Sequence, residues 1–445
     1  MTHMKLFQKS YPEAELLIRQ AHVLDPRTGI DAPHDILIRE GQIAEIGAPG
    51  SLSAASGTAT VEAAGKHVFP AFVDPHVHLR SPGQEYKENL DTGTASAAAG
   101  GFCQLIAMPN TSPVIDSVTV LRSLTTVAGQ QARVPTGFLA SITIALGGTD
   151  LSPMAALADA GALGFTDDGK PVTSAGMLRK ALQYQRLAGG VIALHEEDPA
   201  LSGVGVMHEG AVSARLGVAG IPSLSESTMV ARDSAIAKYE DARVHFQHLS
   251  AIESVQALAY WREQGARVSG EATPHHLTLT EEAVRTLDTR FKMNPPLRNE
   301  ADRQAVIDGL RSGVIECIAT DHAPHARYEK EMPFEQAPMG TTGLETSFAA
   351  VYTELVKPGV LPLDLVIERM TAGGALYGLP IPKIEVGAQA NVVLVDLDST
   401  WRVGEHGYAS RSENCCFDGR TFNGVVELTV AAGAVVYEGF KEKNA

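Results

Sequence analysis

The chain has 445 residues, of which 44% are hydrophobic, and its 52 acidic and 36 basic side chains give a formal charge of −16. This acidic balance argues against a nucleic acid or an anionic membrane as the main partner. Four cysteines in a chain of this length do not form a disulfide framework. The sequence shows neither an apolar leader segment nor an uncharged apolar run of about 18 residues, so we expect a cytoplasmic protein.

Both ends of the chain are predicted to be rich in β-strands. Short apolar runs separated by turn-forming residues occur there, at Glu15–Leu24, Asp35–Arg39, Gln42–Gly47, Ala390–Asp396, Gly424–Val430 and Ala434–Tyr437. We expect the two ends to combine into a small β-sandwich domain made of residues 1–67 and 379–445.

The middle of the chain alternates between strand-like and helix-like segments. The strand-like segments are Phe69–His78, Phe102–Pro109, Val134–Thr143, Leu163–Thr166, Val191–His195, Val244–Leu249, Ala266–Ala272 and Val314–Ala319. Eight strands with intervening helices predict an α/β fold, a (β/α)8 TIM-type barrel over residues 68–378.

The first of these strands ends in an H-x-H pair, His76 and His78. Side chains alternate along a strand, so both imidazoles are expected to point to the same face. Neutral imidazole nitrogens are good ligands for divalent zinc. The pair alone is not specific, because two histidines at the polar start of a loop are common.

Further polar residues fall at the carboxyl ends of this strand and of the other strands, where the active site of a (β/α)8 barrel lies. They are Arg80, Asn110, Asp167, Asp168, His195, His248, His275, His276, Asp321 and His325. Four of these histidines and two of the aspartates predict a two-metal centre, with His76 and His78 on one ion, His195 and His248 on the other, and carboxylates that bridge the ions or close the site.

Several of these histidines have a plainer interpretation. His248 by itself would more often be a strand-end histidine whose hydrogen bonds are satisfied. His275 and His276 could be ligands by residue type, but the metal set is filled without them. His245 lies three residues before His248 and is expected to face the helices and serve packing.

Eight motifs occur in order along the chain: DPHVHLR, AMPNTSPVID, FTDDG, LHEED, QHLS, EATPHHL, KMNPPLR and ATDHAPH. This set resembles the amidohydrolase superfamily and, within it, dihydroorotases of the long bacterial class (class I). The resemblance runs from about residue 15 to residue 440. It implies reversible hydrolysis of the cyclic amide of dihydroorotate to N-carbamoyl-aspartate in pyrimidine synthesis.

The resemblance also implies a set of metal ligands. His76, His78 and Asp321 would bind one Zn²⁺, His195 and His248 would bind a second, and Asp168 would bridge the two. Related hydrolases use a carbamylated lysine as the bridge, but the fourth strand here has no lysine, and Lys170 lies beyond it. Asp321 is expected to act also as the catalytic proton shuttle.

Substrate contacts follow from the same resemblance. Arg80 can offer a bidentate fork to the substrate carboxylate. The other implied contacts are His78, Asn110, Asn294, His325, Met339 and Gly340. Two departures from the family pattern stand out: Met339 replaces a usual aromatic residue, and Cys415-Cys416 replaces a usual Thr-Pro pair.

Two rival functions remain open at this level. One is a hydantoinase or allantoinase, against which the missing lysine argues. The other is a non-catalytic partner of aspartate transcarbamoylase, against which the complete ligand set argues. Association of an active enzyme with a transcarbamoylase stays an option, and we expect a homo-oligomer.

Overall fold

The structure is a computed structural model that describes residues 6–439. Within that range no helix is both long enough and apolar enough to cross a membrane. The strands are β1 (Leu16–Asp25), β2 (Ile30–Arg39), β3 (Gln42–Gly47), β4 (Ala59–Glu62), β5 (His67–Pro70), β6 (Phe72–Val77), β7 (Phe102–Ala107), β8 (Thr136–Phe138), β9 (Ile192–Leu194), β10 (Met207–His208), β11 (Gly220–Ile221), β12 (Val244–Phe246), β13 (Val268–Ala272), β14 (Cys317–Ile318), β15 (Val392–Arg402), β16 (Thr421–Ala431) and β17 (Ala434–Glu438).

The helices lie mainly between the central strands. They are α1 (Leu90–Ala99), α2 (Val118–Gln131), α3 (Met154–Asp159), α4 (Ala175–Ala188), α5 (Pro199–Ser202), α6 (Ala211–Leu216), α7 (Leu224–Glu240), α8 (Ile252–Glu263), α9 (Pro274–Thr278), α10 (Glu300–Ser312), α11 (Arg327–Lys330), α12 (Ser347–Val351) and α13 (Leu363–Thr371). Short 3₁₀ turns occupy Ile144–Leu146, Glu281–Thr286, Thr289–Phe291 and Gly373–Tyr377, and a π turn occupies Tyr352–Val356.

The two ends of the chain form one mixed sheet of eight strands. Its order is β17-β16-β15-β5-β1-β2-β3, with β4 paired to β1. Alternate residues of β15 face opposite sides, because side chains in a strand point alternately up and down. Val392 and Leu394 pack in a core within this sheet, whereas Val393 and Val395 pack in the main core of the molecule. The alternation therefore attaches the sheet to the rest of the chain.

The central strands pair in parallel and in chain order. One sheet has the order β6-β7-β8 and another the order β14-β13-β12-β9. Phe165 makes parallel bridges to Ala140 and to Ile192 and so links the two sheets at one side. Val77 makes a parallel bridge to His322 and links them at the other side. The parallel pairings of the segments are thus linked into a ring, which His322 closes just beyond the eighth segment, and the α/β class is confirmed.

The third predicted segment is a shorter strand than the sequence suggests, and the fourth, Leu163–Thr166, forms no strand and pairs only through the bridges of Phe165. Of Val134–Thr143, only Thr136–Phe138 forms a strand. The main-chain N–H groups of Ile142 and Thr143 donate to the Asp167 carboxylate instead of to a neighbouring strand. A side-chain acceptor thus ends the strand pairing before the apolar run itself ends.

The helices follow local rules that are visible in the sequence. In α10, the Asn299 side chain accepts from the N–H groups of Ala301 and Asp302 and caps the first turn. The helix ends at Gly313, whose φ of 79° is the left-handed conformation that glycine adopts without strain. Its buried residues Val306, Ile307 and Leu310 lie in the main core.

Candidate metal centre

The carboxyl ends of the central strands bring four histidines and two aspartates together. The oxygens of Asp168 lie 3.4 Å from His76 Nε2, 3.4 Å from His78 Nε2, 3.8 Å from His195 Nδ1 and 3.9 Å from His248 Nε2. All six side chains are buried or nearly so. The six residues that the sequence singled out as ligands therefore form one cluster, with Asp168 between the histidine pairs.

Asp321 completes the cluster on the side of the H-x-H pair. Its Oδ1 lies 3.0 Å from His78 Nε2 and 3.4 Å from His76 Nε2. The two imidazole rings of the pair have centroids 5.4 Å apart. Asp321 reaches this point from the far end of the central region because the His78 N–H donates to the His322 carbonyl, which closes the ring of strands.

The neighbouring aspartates of the fourth segment point in different directions. Asp168 faces the histidines, and its N–H donates to the Thr166 hydroxyl. Asp167 instead accepts from the N–H groups of Ile142 and Thr143, at 2.8 and 2.9 Å. An extended backbone sends consecutive side chains to opposite faces, so only Asp168 can meet the histidines.

Three residues of the site have unusual backbone conformations. The φ angles are 59° at Arg80, 34° at His248 and 48° at Asp321. Residues other than glycine seldom adopt positive φ, and such strain is concentrated at functional sites. The surrounding hydrogen bonds must hold these three residues in place.

The cluster has the donors that a metal ion needs. His76 Nε2 is buried and has no hydrogen-bond partner among the described residues. His195 Nδ1 and His248 Nε2 converge to 2.8 Å. Ligand atoms of His76, His78 and Asp321, and likewise those of His76, Asp168 and His248, lie within 4.8 Å of one another. Imidazole nitrogens with carboxylate oxygens suit divalent zinc, so the residues fit such a group.

The electrostatics of the cluster favour charged carboxylates. Burial opposes ionisation, but His76, His78 and His195 hold the pKa of Asp168 well below its ordinary value. Burial also opposes ionisation of Asp321, but His76 and His78 hold the pKa of that carboxyl below its ordinary value. Burial and the nearby His195 lower the pKa of His248 to about 3. His248 is therefore neutral at pH 7 and has a lone pair to offer a cation.

A buried glutamate behind the cluster was not expected to take part. Glu271 Oε1 lies 2.6 Å from His76 Nδ1, and the same oxygen accepts from the His248 N–H at 3.2 Å. Glu271 lies in the EATPHHL motif, and its position two residues before Thr273, at the end of β13, was the only available signal.

The prediction for His245 was wrong. His245 does not face the helices: its Nε2 lies 3.0 Å from Glu271 Oε2, inside the ring of strands. The strand β12 ends at Phe246, and His248 has a positive φ, so the alternation of side chains does not extend from one histidine to the other. His245 is thus part of the chain of contacts that leads through Glu271 to His76.

A cavity of about 290 Å³ opens next to the cluster. Besides the metal-type side chains, its lining includes every other residue that was expected to contact substrate: Arg80, Asn110, Asn294, His325, Met339 and Gly340. The Asn110 Oδ1 accepts from His78 Nδ1 at 2.9 Å, and its Nδ2 donates to Asp168 Oδ2 at 3.2 Å. The amide therefore spans the cluster and the cavity.

The side chains of Arg80, Asn294 and His325 in the cavity wall have hydrogen-bond partners that do not line the metal cluster. Arg80 donates from Nε to the Pro324 carbonyl at 3.1 Å. Asn294 donates to Glu197 Oε2 at 2.6 Å. His325 Nε2 lies 2.8 Å from the Met339 carbonyl. Glu197 was not singled out by the sequence, although it belongs to the LHEED motif.

The alternative ligands do not lie in the cavity wall. His276 Nε2 lies 3.0 Å from the Pro295 carbonyl, and its Nδ1 lies 2.8 Å from the Thr273 hydroxyl. His275 is buried beside it, with ring centroids 4.5 Å apart. Lys170 is exposed and is absent from the lining of the cavity.

Solved structures of similar architecture include hydantoinases. The L-hydantoinase (dihydropyrimidinase) of Arthrobacter aurescens superposes with a TM-score of 0.84 and 26% identity, and 96% of each chain is covered. The D-hydantoinase (dihydropyrimidinase) of a Thermus species superposes with a TM-score of 0.79 and 23% identity, over 95% of this chain and 96% of the other. The latter likeness concerns the fold alone.

Sequence comparison is more specific. Residues 65–254 match the family model described as dihydro-orotase-like. The dihydroorotase of Pelotomaculum thermopropionicum is 43% identical over 425 residues, 95% of this chain and 99% of that protein. The dihydroorotase of Anaeromyxobacter dehalogenans is 41% identical over 429 residues, 95% of this chain and 98% of that protein. The chain belongs to the dihydroorotase family.

Proposed function

We propose that this protein is a dihydroorotase that reversibly hydrolyses the cyclic amide of (S)-dihydroorotate to N-carbamoyl-L-aspartate, a step of pyrimidine synthesis. The observation that carries the proposal is the Asp168 carboxylate, which lies among four histidines where related hydrolases place a carbamylated lysine. The full-length similarity to proteins named dihydroorotase supports the same conclusion.

The architecture that we propose for this activity is that of the long bacterial class. The ring of parallel pairings would be a (β/α)8 barrel over residues 68–378, with the site at the carboxyl ends of its strands. Residues 1–67 and 379–445 would form the small β-sandwich domain, of which residues 1–5 and 440–445 lie outside the described range.

For the metal centre we propose two Zn²⁺ ions. One ion would be held by His76, His78 and Asp321. The other ion would be held by His195 and His248, and Asp168 would be a ligand of both ions. When bound, zinc lowers the pKa of water and polarises a carbonyl group, which supplies the nucleophile and the electrophile that amide hydrolysis lacks at neutral pH. Asn110 contacts both His78 and Asp168 and would keep the two oriented.

Asp321 is the proposed catalytic residue. The carboxylate is ionised at neutral pH, so its oxygen can accept a proton from the attacking water. The same oxygen would then deliver that proton to the ring nitrogen that leaves when the amide bond breaks. Asp321 lies in the wall of the cavity that the substrate would occupy.

Substrate would be held by the remaining groups of the cavity. Arg80 would bind the carboxylate, since its Nε is anchored by the Pro324 carbonyl and leaves the terminal nitrogens for a bidentate contact. Asn110, Asn294 and His325 would complete the polar contacts. The backbone at Met339 and Gly340, together with His78, would meet the ring.

The protein would work in the cytoplasm as a homo-oligomer, with aspartate transcarbamoylase as an optional partner. A non-catalytic role in such an assembly is disfavoured because all six metal-type side chains are present and converge. The rival hydantoinase activity is disfavoured by the exposed position of Lys170.

The test is a steady-state assay of the purified, zinc-loaded protein with dihydroorotate, hydantoin and allantoin. We expect turnover of dihydroorotate alone. Hydantoin lacks the carboxylate that Arg80 would bind, so comparable turnover of hydantoin would contradict the proposal.

A further inference from the structure

A lysine that has no part in the proposed metal centre or substrate contacts lies behind the wall of the cavity. Lys330 is the last residue of α11, and its side chain is only 9% exposed. Its Nζ donates to the main-chain carbonyls of Thr289 at 2.8 Å, Pro338 at 2.8 Å and Lys292 at 3.3 Å. An ammonium group has three donors, so these three carbonyls satisfy it completely.

The three carbonyls belong to two segments that each lead into the cavity. Thr289 and Lys292 precede Asn294, and Pro338 precedes Met339 and Gly340. The Gly340 N–H also donates to the Lys292 carbonyl, at 2.8 Å. The ammonium and this main-chain bond therefore join the same two segments at neighbouring points.

Burying this ammonium is costly for the fold. No carboxylate of the described residues lies within ion-pair distance of Lys330 Nζ; its partners there are all carbonyls. Burial and the nearby Lys292 lower the pKa of Lys330 to about 7, against the weaker effect of Asp288 and Glu329. A buried amine that loses its proton this readily and has no charged partner contributes little to stability, so its position calls for another explanation.

We propose that Lys330 is a positioning residue for substrate binding, which holds the Asn294 segment and the Met339–Gly340 segment at the separation that the substrate requires. This inference rests on the proposed dihydroorotase function. Lys330 does not line the cavity and acts only through the main chain of its neighbours. Its loss should therefore weaken substrate binding and leave the metal cluster intact.

The experiment compares Lys330→Met, which removes all three donors, with Lys330→Gln, which keeps two N–H groups. Hydrogen bonds from a charged group typically decide about a factor of ten in binding, so we expect KM for dihydroorotate to rise about tenfold in Lys330→Met. The rise should be smaller in Lys330→Gln, and kcat and zinc content should change little in both variants. The control is Arg327→Met, which removes an exposed positive charge from the same short helix and should leave KM unchanged.

Hydrogen exchange of the full chain gives a readout that does not depend on the reaction. The Gly340 amide should exchange faster in both Lys330 variants than in the parent, whereas amides of β6 should not change. If the parent protein does not hydrolyse dihydroorotate, the proposed function fails, and exchange still tests the link between the two segments.

The inference would be overturned by unchanged KM and unchanged exchange at Gly340 in Lys330→Met. A fall in kcat or in zinc content without a rise in KM would also count against it. Failure of both variants to fold would overturn it too, since Lys330 would then serve the whole fold instead of the cavity.

Discussion

His76 Nδ1 and Glu271 Oε1 lie 2.6 Å apart, although 195 positions separate them in the chain. A carboxylate at Nδ1 keeps the proton on that nitrogen and leaves Nε2 free to face Asp168 and Asp321. A histidine that binds a metal through one nitrogen commonly donates from the other to a carboxylate, which fixes the orientation of the ring. Glu271 is placed to do this for His76.

Replacing Glu271 with glutamine tests that relationship. The neutral amide could not accept from His76, His245 and the His248 N–H as the carboxylate does, and loss of such support typically costs about 10–100-fold in metal affinity. We expect zinc affinity, measured by competition with a chelator, to fall by that order. Ser269→Ala is the control, because it removes the outer contact of His245 and a long hydrogen bond to the Val244 carbonyl but leaves Glu271 in place, and affinity should then change little. Unchanged affinity in Glu271→Gln would show that His76 is oriented by other contacts.

Asp321→Asn separates proton transfer from metal binding. An asparagine oxygen can still lie beside His78, but the side chain cannot accept the proton of the attacking water. General acid–base help is typically worth a factor of about 10²–10⁴, so we expect turnover to fall by that factor in both directions. Zinc content should drop only slightly, because five other ligands remain. Near-normal turnover would move the proton shuttle to His322 or His325.

Metal reconstitution should not depend on carbon dioxide. A carbamylated lysine forms only with carbon dioxide, whereas the Asp168 carboxylate is complete in itself. We expect the metal-free protein to recover equal activity with zinc in carbon-dioxide-depleted and in bicarbonate-supplemented buffer. The Lys170→Ala variant should behave like the parent, since that lysine is exposed. A strong bicarbonate requirement would contradict the role of Asp168.

Arg80→Lys should weaken substrate binding and leave the metals in place. Lysine keeps the positive charge but loses the planar fork and the anchor to the Pro324 carbonyl. Loss of one charge-assisted hydrogen bond predicts a rise in KM of about tenfold or more, with unchanged zinc content. The measurements are steady-state kinetics and metal analysis of the same preparation. A loss of zinc would mean that Arg80 supports the cluster itself.

The features that depend on near neighbours in the chain were predictable. The H-x-H pair, the opposite directions of Asp167 and Asp168, and the order of strands and helices all follow from side-chain alternation and from the spacing of turn-forming residues. The histidines and aspartates of the site could be gathered because parallel strands place their carboxyl ends on one rim, and the motif resemblance then selected Asp168 and Asp321 among the aspartates. Motif resemblance then added the substrate contacts.

Local rules failed where the backbone leaves regular geometry or where distant segments meet. The direction of the His245 side chain was predicted from its spacing of three residues from His248. That prediction was wrong because the positive φ of His248 breaks the alternation of side chains along the strand. The pairing of Glu271 with His76 depends on how β6 and β13 are placed across the ring, and that register is set by the packing of the whole central region. The carbonyls around Lys330 are likewise supplied by segments that only the folded chain brings together. The sequence determined which side chains were available at the rim. The tertiary structure decided which buried groups support those side chains. Contacts between distant segments depend on strand register and loop paths, and no short stretch of sequence encodes these.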